Sequence, residues 1–154
     1  MKNRNWISVL ALVLACLPLH AADNPLMGKW TLNLAKSEFY PGPPPQYHIN
    51  IYSPSGTNGV KYTSDRADAE GVATRIEFTA NFDGKYYPMQ GDDRGSLSLT
   101  RNGERVFFAR YETGGKVTQI KAWIISDDGK TLMILSTGVL NGEPFNNIAV
   151  FDKQ

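Results

Sequence analysis

Behind its first 22 residues the chain carries one histidine, His48, and no cysteine, because His20 and Cys16 both fall in the N-terminal stretch. A thiol nucleophile, a multi-histidine metal centre and a multi-cysteine zinc site are therefore excluded from the remainder. One imidazole can serve as a general base or a haem ligand. Set among Tyr47, Ile49 and Asn50, however, His48 reads as a surface residue of a strand. Two acidic groups, Asp65 with Asp68 and Glu70, and Asp92 with Asp93, are the right ligand type for calcium, yet neither has the Asp-x-Asp-x-Asp-Gly spacing of a binding loop. Carboxylate pairs such as Glu77 and Glu112 suit acid–base work, but spacing alone brings no such pair together. No catalytic residue, metal or cofactor is assigned.

The residues suited to binding are aromatic, with one guanidinium among them. In Arg105-Val106-Phe107-Phe108-Ala109-Arg110-Tyr111-Glu112 the faces alternate. Either Phe108 and Arg110 point inward, marking a polar ligand group, or Phe107, Ala109 and Tyr111 do. The second is favoured, since an unpaired buried guanidinium is costly. Trp123 lies opposite the apolar face formed by Thr118, Ile120, Ala122 and Ile124. It is either an exposed contact site or inside a polar-lined cavity, with the apolar face packed elsewhere. Phe145 and Phe151 share one face of the last segment, with Ile148 and Val150 on the other. That two-sided pattern requires cover on the outside, from the proline segment Pro41–Pro45 or from a partner, and cover by the chain itself is expected.

The elements that position these residues are legible from turn dipeptides. Asn58-Gly59, Glu70-Gly71, Asp83-Gly84, Asn102-Gly103, Gly114-Gly115, Asp128-Gly129 and Asn141-Gly142 punctuate the chain. Such pairs supply the positive φ of tight hairpin turns. Runs rich in β-branched and aromatic residues lie between them, predicting strands over 47–53, 60–66, 72–82, 85–89, 96–101, 105–112, 116–126, 131–139 and 145–152, after a first strand over 28–34. Residues 35–39 allow one helical turn, and 40–45, Tyr-Pro-Gly-Pro-Pro-Pro, must run extended on the surface as a strap. Consecutive hairpins without long crossovers predict an all-β, single antiparallel up-and-down barrel of about eight to ten strands, because closure removes the free edges of a sheet.

Residues 1–22 read as a signal peptide: Lys2 and Arg4, an apolar run from Ile7 to Leu19, then small residues at Ala21 and Ala22. An alternative reading takes Val13-Leu14-Ala15-Cys16 as a lipoprotein box with a lipid on Cys16. Both predict export to the periplasm or beyond, with residues 23–154 as one domain and no transmembrane span in the mature chain. Loss of Lys2 and Arg4 takes the formal charge from +1 to −1, which offers no basic face for nucleic acid.

The opening Gly28-x-Trp30-x-Leu32-Asn33 resembles the start of lipocalin and calycin barrels. The longer string through Lys36, Ser37, Phe39, Pro41, Gly42, Pro43 and Pro45, with the close Asn146-Asn147-x-x-Val150-x-Asp152-Lys153, is similar to a family of small exported bacterial lipocalin-like proteins. The resemblance implies a barrel like those of lipocalins and fatty-acid-binding proteins, holding a small, largely apolar ligand. It departs from the fatty-acid binders, whose Arg-x-Tyr clamp is replaced here by Ala149-Val150-Phe151, and it shows no counterpart near the C-terminus of the lipocalin arginine that packs over the first tryptophan. Gly28 and Trp30 are expected to be structural, with Trp30 plugging the closed end. Phe78, Phe82, Tyr86, Phe108, Arg110 and Trp123 are the candidates for the cavity or its mouth. The alternatives are an envelope interaction or inhibitor module with a filled barrel and, behind it, a barrel enzyme.

Overall fold

A computed structural model describes residues 24–91, 95–140 and 142–154. The predicted leader with Cys16, the acidic pair Asp92–Asp93 and Asn141 lie outside the described residues. The strands are β1 (Gly28–Leu32), β2 (Glu38–Tyr40), β3 (Tyr47–Ser55), β4 (Gly59–Ala67), β5 (Ala73–Asn81), β6 (Tyr86–Gln90), β7 (Ser96–Asn102), β8 (Val106–Thr113), β9 (Lys116–Ile125), β10 (Thr131–Leu140) and β11 (Glu143–Lys153). From β3 to β11 each pairs antiparallel with the next, β1 pairs with β3, and β1–β11 pairing closes a ten-strand up-and-down barrel. The fold class read from the hairpins is the fold found.

Two local readings change. Leu34–Lys36 forms a 3-10 turn, and the chain then extends as β2, which pairs with β11 at Asn146–Ile148 and takes over that edge where β1 leaves it. Three residues before a proline run carry too little pattern to announce a strand. At the first hairpin Gly56, with φ +60°, makes the turn, while Gly59 begins β4, where a Cβ would stand 2.5 Å from Ser55 O. Gly59 is demanded by close backbone approach; the turn itself relies on Gly56.

The two ends of the chain meet at the seam. Asn33 Nδ2 donates to Asp152 at 2.7 Å and Lys36 Nζ to the same carboxylate at 3.1 Å. Val150 N donates to Ser37 Oγ at 2.9 Å, and Tyr40 N to Asn147 Oδ1 at 3.1 Å. These bonds hold the Asp152 carboxyl below its usual pKa, the Asn33 bond first and Lys36 second. The opening and closing motifs of the sequence are thus each other's partners and fasten the cylinder.

Trp30 is fully buried, and its Nε1 donates to Leu26 O at 2.9 Å. Lys153 Nζ stands 5.0 Å from the Trp30 ring centroid, so a lysine supplies the cation over the first tryptophan that the sequence does not announce. Gly28 admits that side chain: at φ +127° a Cβ there would press on Lys153 Cε at 3.0 Å.

Candidate functional site

The inward faces pack together in the barrel. Val60, Leu97, Leu99, Phe107, Ala109, Leu132 and Phe151 are fully buried, and Phe82 and Phe107 lie with ring centroids 5.3 Å apart. Tyr62 stacks on Phe78 at 4.6 Å, and Tyr52 leans against both Tyr62 and Trp123 at 4.9 and 5.4 Å. These contacts join in one continuous cluster. Side chains that expose nothing touch no space wide enough for water, so the packed levels resemble a protein core.

Polar groups are threaded through that core. Tyr62 OH donates to Asn50 Oδ1 at 2.7 Å. Asn50 Nδ2, Tyr52 OH and Trp123 Nε1 are buried without a hydrogen-bond partner within the protein. His48 also faces inward, its Nε2 2.8 Å from Ser64 Oγ and its ring edge-on to Phe151 at 5.2 Å. This corrects the expectation of a surface histidine. Tyr47 is the exposed residue here, and the register sends His48 to the core side with Asn50 and Tyr52. Burial, then the charges of Lys121 and Arg66, push the His48 pKa down to about 3.

The predicted site residues divide. Phe78, Phe82 and Trp123 lie inside, while Tyr86, Phe108 and Arg110 stand exposed on the outer wall. The six are therefore not brought together. Strand β8 takes the favoured phase, with Phe107, Ala109 and Tyr111 buried. Trp123 takes the interior alternative, leaving Ile120, Ala122 and Ile124 on the outside, as the register beside Phe107 and Ile134 requires. The carboxylates are engaged or apart. Asp65 and Glu77 hold Arg75 at 3.0 and 2.7 Å, Asp68 accepts from Val72 N at 2.7 Å, and Glu112 pairs in register with Ser96 and Val117, not with Glu77. Among the described residues no three His, Asp or Glu side chains gather as a metal site.

What the sequence reading did not assemble is a surface. Across β8, β9, β10, β11 and β2 the register aligns Phe108, Ala122, Leu135, Ile148 and Glu38 in one outward row. The neighbouring rows carry Val106, Ile124, Met133 and Val150 on one side and Arg110, Ile120, Thr137, Asn146 and Tyr40 on the other. Phe108 is 41% exposed, Ile120 45%, Leu135 37% and Ile148 37%. The strap residues Pro41, Gly42, Pro43 and Pro44 are exposed themselves, and among the described residues this wall stays open, against the expectation that the proline segment covers it. Phe39, Tyr40, Ile120, Ala122, Leu135 and Ile148 line a groove there of about 530 Å3. The opposite wall is of ordinary water-facing composition, with Lys61, Thr63 and Asp65 on β4 and Arg75, Glu77 and Thr79 on β5. The signal was present as apolar residues on both faces of three strands, but only the register joins them into one field.

No family model matches this chain, and no curated protein matches it. Among solved structures it is similar to the siderocalin Ex-FABP, described as functioning through dual ligand specificities, with 11% identity over 84% of this chain and 74% of that one and a TM-score of 0.45.

Proposed function

We propose that this barrel is a binding module whose outer wall, over β8–β11 and β2, docks an apolar segment of a partner protein. The observation that carries the reading is the mainly apolar field around the groove, set against the charged wall of β4 and β5 in the same molecule. A water-facing sheet normally alternates apolar-in and polar-out, as β4 and β5 do. A packed interior beside an exposed apolar field supports a recognition surface on the outside. The groove's volume suits a few inserted side chains, and its openness to solvent suits a partner's surface better than an enclosed small molecule. Export, expected from residues 1–22, is part of this proposal and would put the partner in the periplasm or outside the cell.

The test is site-specific photo-crosslinking in cells that make the protein, with the reactive group at Leu135 or, as control, at Thr63. A defined adduct from position 135 and none from 63 supports the reading. Equal labelling at both, or none at 135, removes it.

A second reading is favoured by buried donors without a protein partner, among them Asn50 Nδ2, Tyr52 OH and Trp123 Nε1. A small molecule with a largely apolar body and acceptor atoms, entering the barrel, would satisfy them. Native mass spectrometry of gently purified protein decides it: a retained small molecule supports this reading, and bare protein counts against it.

A further inference from the structure

At the closed end of the barrel a second cavity, of about 530 Å3, opens between the Ser55–Gly59 turn and the segment 24–27. Its lining combines two cations, Arg101 and Lys153, with the polar Asn24, Thr57 and Asn58 and an apolar side of Pro25, Met27, Pro54 and Phe82, and among the described residues it holds no carboxylate. We infer that this cavity binds a small amphipathic anion, its acid group held by Arg101 and Lys153 and its short apolar body lying on Met27 and Phe82. The inference concerns a different site from the outer groove and does not depend on it.

The cations arrive there for topological reasons. Arg101 lies one turn of the pleat beyond Leu99 on the inward phase of β7, and Lys153 is paired with Trp30, so both interior faces end in a positive charge at the same rim. Among the described residues no acid pairs with Arg101. Lys153 Nζ gives one hydrogen bond to Pro25 O, at 3.0 Å, which leaves an ammonium two further donors. The nearest acid in sequence, Asp152, points to the other side of β11 and is held by Asn33 and Lys36. A guanidinium and an ammonium facing one concave space without a counter-charge among the described residues favour a carboxylate or phosphate there. The apolar side then selects an anion with a hydrocarbon portion.

Calorimetric titration at low salt with octanoate, octanamide and inorganic phosphate tests the assignment, with amide chemical shifts to locate binding. Octanoate is expected to bind at least about tenfold more tightly than either of the other two, moving the amides of residues 24–27 and 55–59. Arg101→Met is expected to weaken octanoate about tenfold without changing octanamide, and Arg101→Lys to restore most of the loss. Arg101 is exposed, so the folded state persists in both variants. Equal affinity for octanoate and octanamide overturns the charge recognition, and phosphate binding as tightly as octanoate overturns the apolar half. Absence of octanoate binding, or shifts confined to the wall around Leu135, overturns the site while leaving the docking proposal standing.

Discussion

Leu132 and Leu135 sit three residues apart on β10 and face opposite ways, which makes them a matched pair for testing whether the outer wall is bare in the isolated protein. Leu132 exposes 0% and lies between Ile125 and Phe151; Leu135 exposes 37% and lies between Ala122 and Ile148. Leu132→Ala removes a fully buried side chain and leaves a cavity, at a cost of about 2–5 kcal/mol. Full burial of a leucine is worth about 1.5–3 kcal/mol, and with over a third of Leu135 already in water its truncation should cost only about 1–2 kcal/mol, with little cavity term. For a domain of this size, with a urea m-value of about 2 kcal/mol/M, the midpoint should fall by about 1–2.5 M for Leu132→Ala and by about 0.5–1 M for Leu135→Ala. Urea melts followed by tryptophan fluorescence report both, since Trp30 and Trp123 are in the core. Equal losses from the two variants would mean that the wall is covered in solution and would refute the argument that it is free to receive a partner.

The interior polar groups give a second contrast. Tyr62→Phe strips Asn50 Oδ1 of a buried hydrogen bond and should cost about 1–3 kcal/mol, whereas Tyr52→Phe removes a hydroxyl without a protein partner and should be neutral or stabilising in thermal melts. His48 supplies a pH dependence. Its folded pKa, about 3, lies below its ordinary value of 6.5, so the unfolded chain binds more protons and stability falls as pH drops from about 6.5 towards 3. Between pH 7 and 5.5, above the carboxylate range, the loss should reach at most about 1.3 kcal/mol, and His48→Gln should flatten it; an unchanged slope in that variant would assign the effect elsewhere. Gly59→Ala places a methyl 2.5 Å from Ser55 O and Asn81 Oδ1, and should cost roughly 1–3 kcal/mol in urea melts. No loss there would show that the first hairpin can shift.

Strand existence and order were written locally. Asp83-Gly84, Asn102-Gly103, Gly114-Gly115 and Asp128-Gly129 each sit at a hairpin with glycine at positive φ, and nearest-neighbour pairing follows because short turns leave no other partner within reach. Failures fell where local pattern was thin or two-sided. Glu38–Tyr40 is a strand only because β11 offers it an edge, and His48 turns inward only because the register pairs it with Arg66, diagonal to the Ser64 hydroxyl it meets.

Alternation in β9 separates Trp123 and Gln119 from Ile120 and Ile124, and in β11 it separates Phe151 from Ile148, but in neither strand does it say which set is inside. Closure decides that. Once β1 meets β11, Trp30, Phe107, Trp123 and Phe151 must share a limited interior, and the other apolar set is left on the wall. The residues by themselves therefore determined a closed antiparallel barrel, since turns and alternation act over a few neighbours. Which face holds the candidate site was decided by tertiary structure alone, because it depends on register across strands separated by a hundred residues of chain and on how many large side chains one cylinder can enclose.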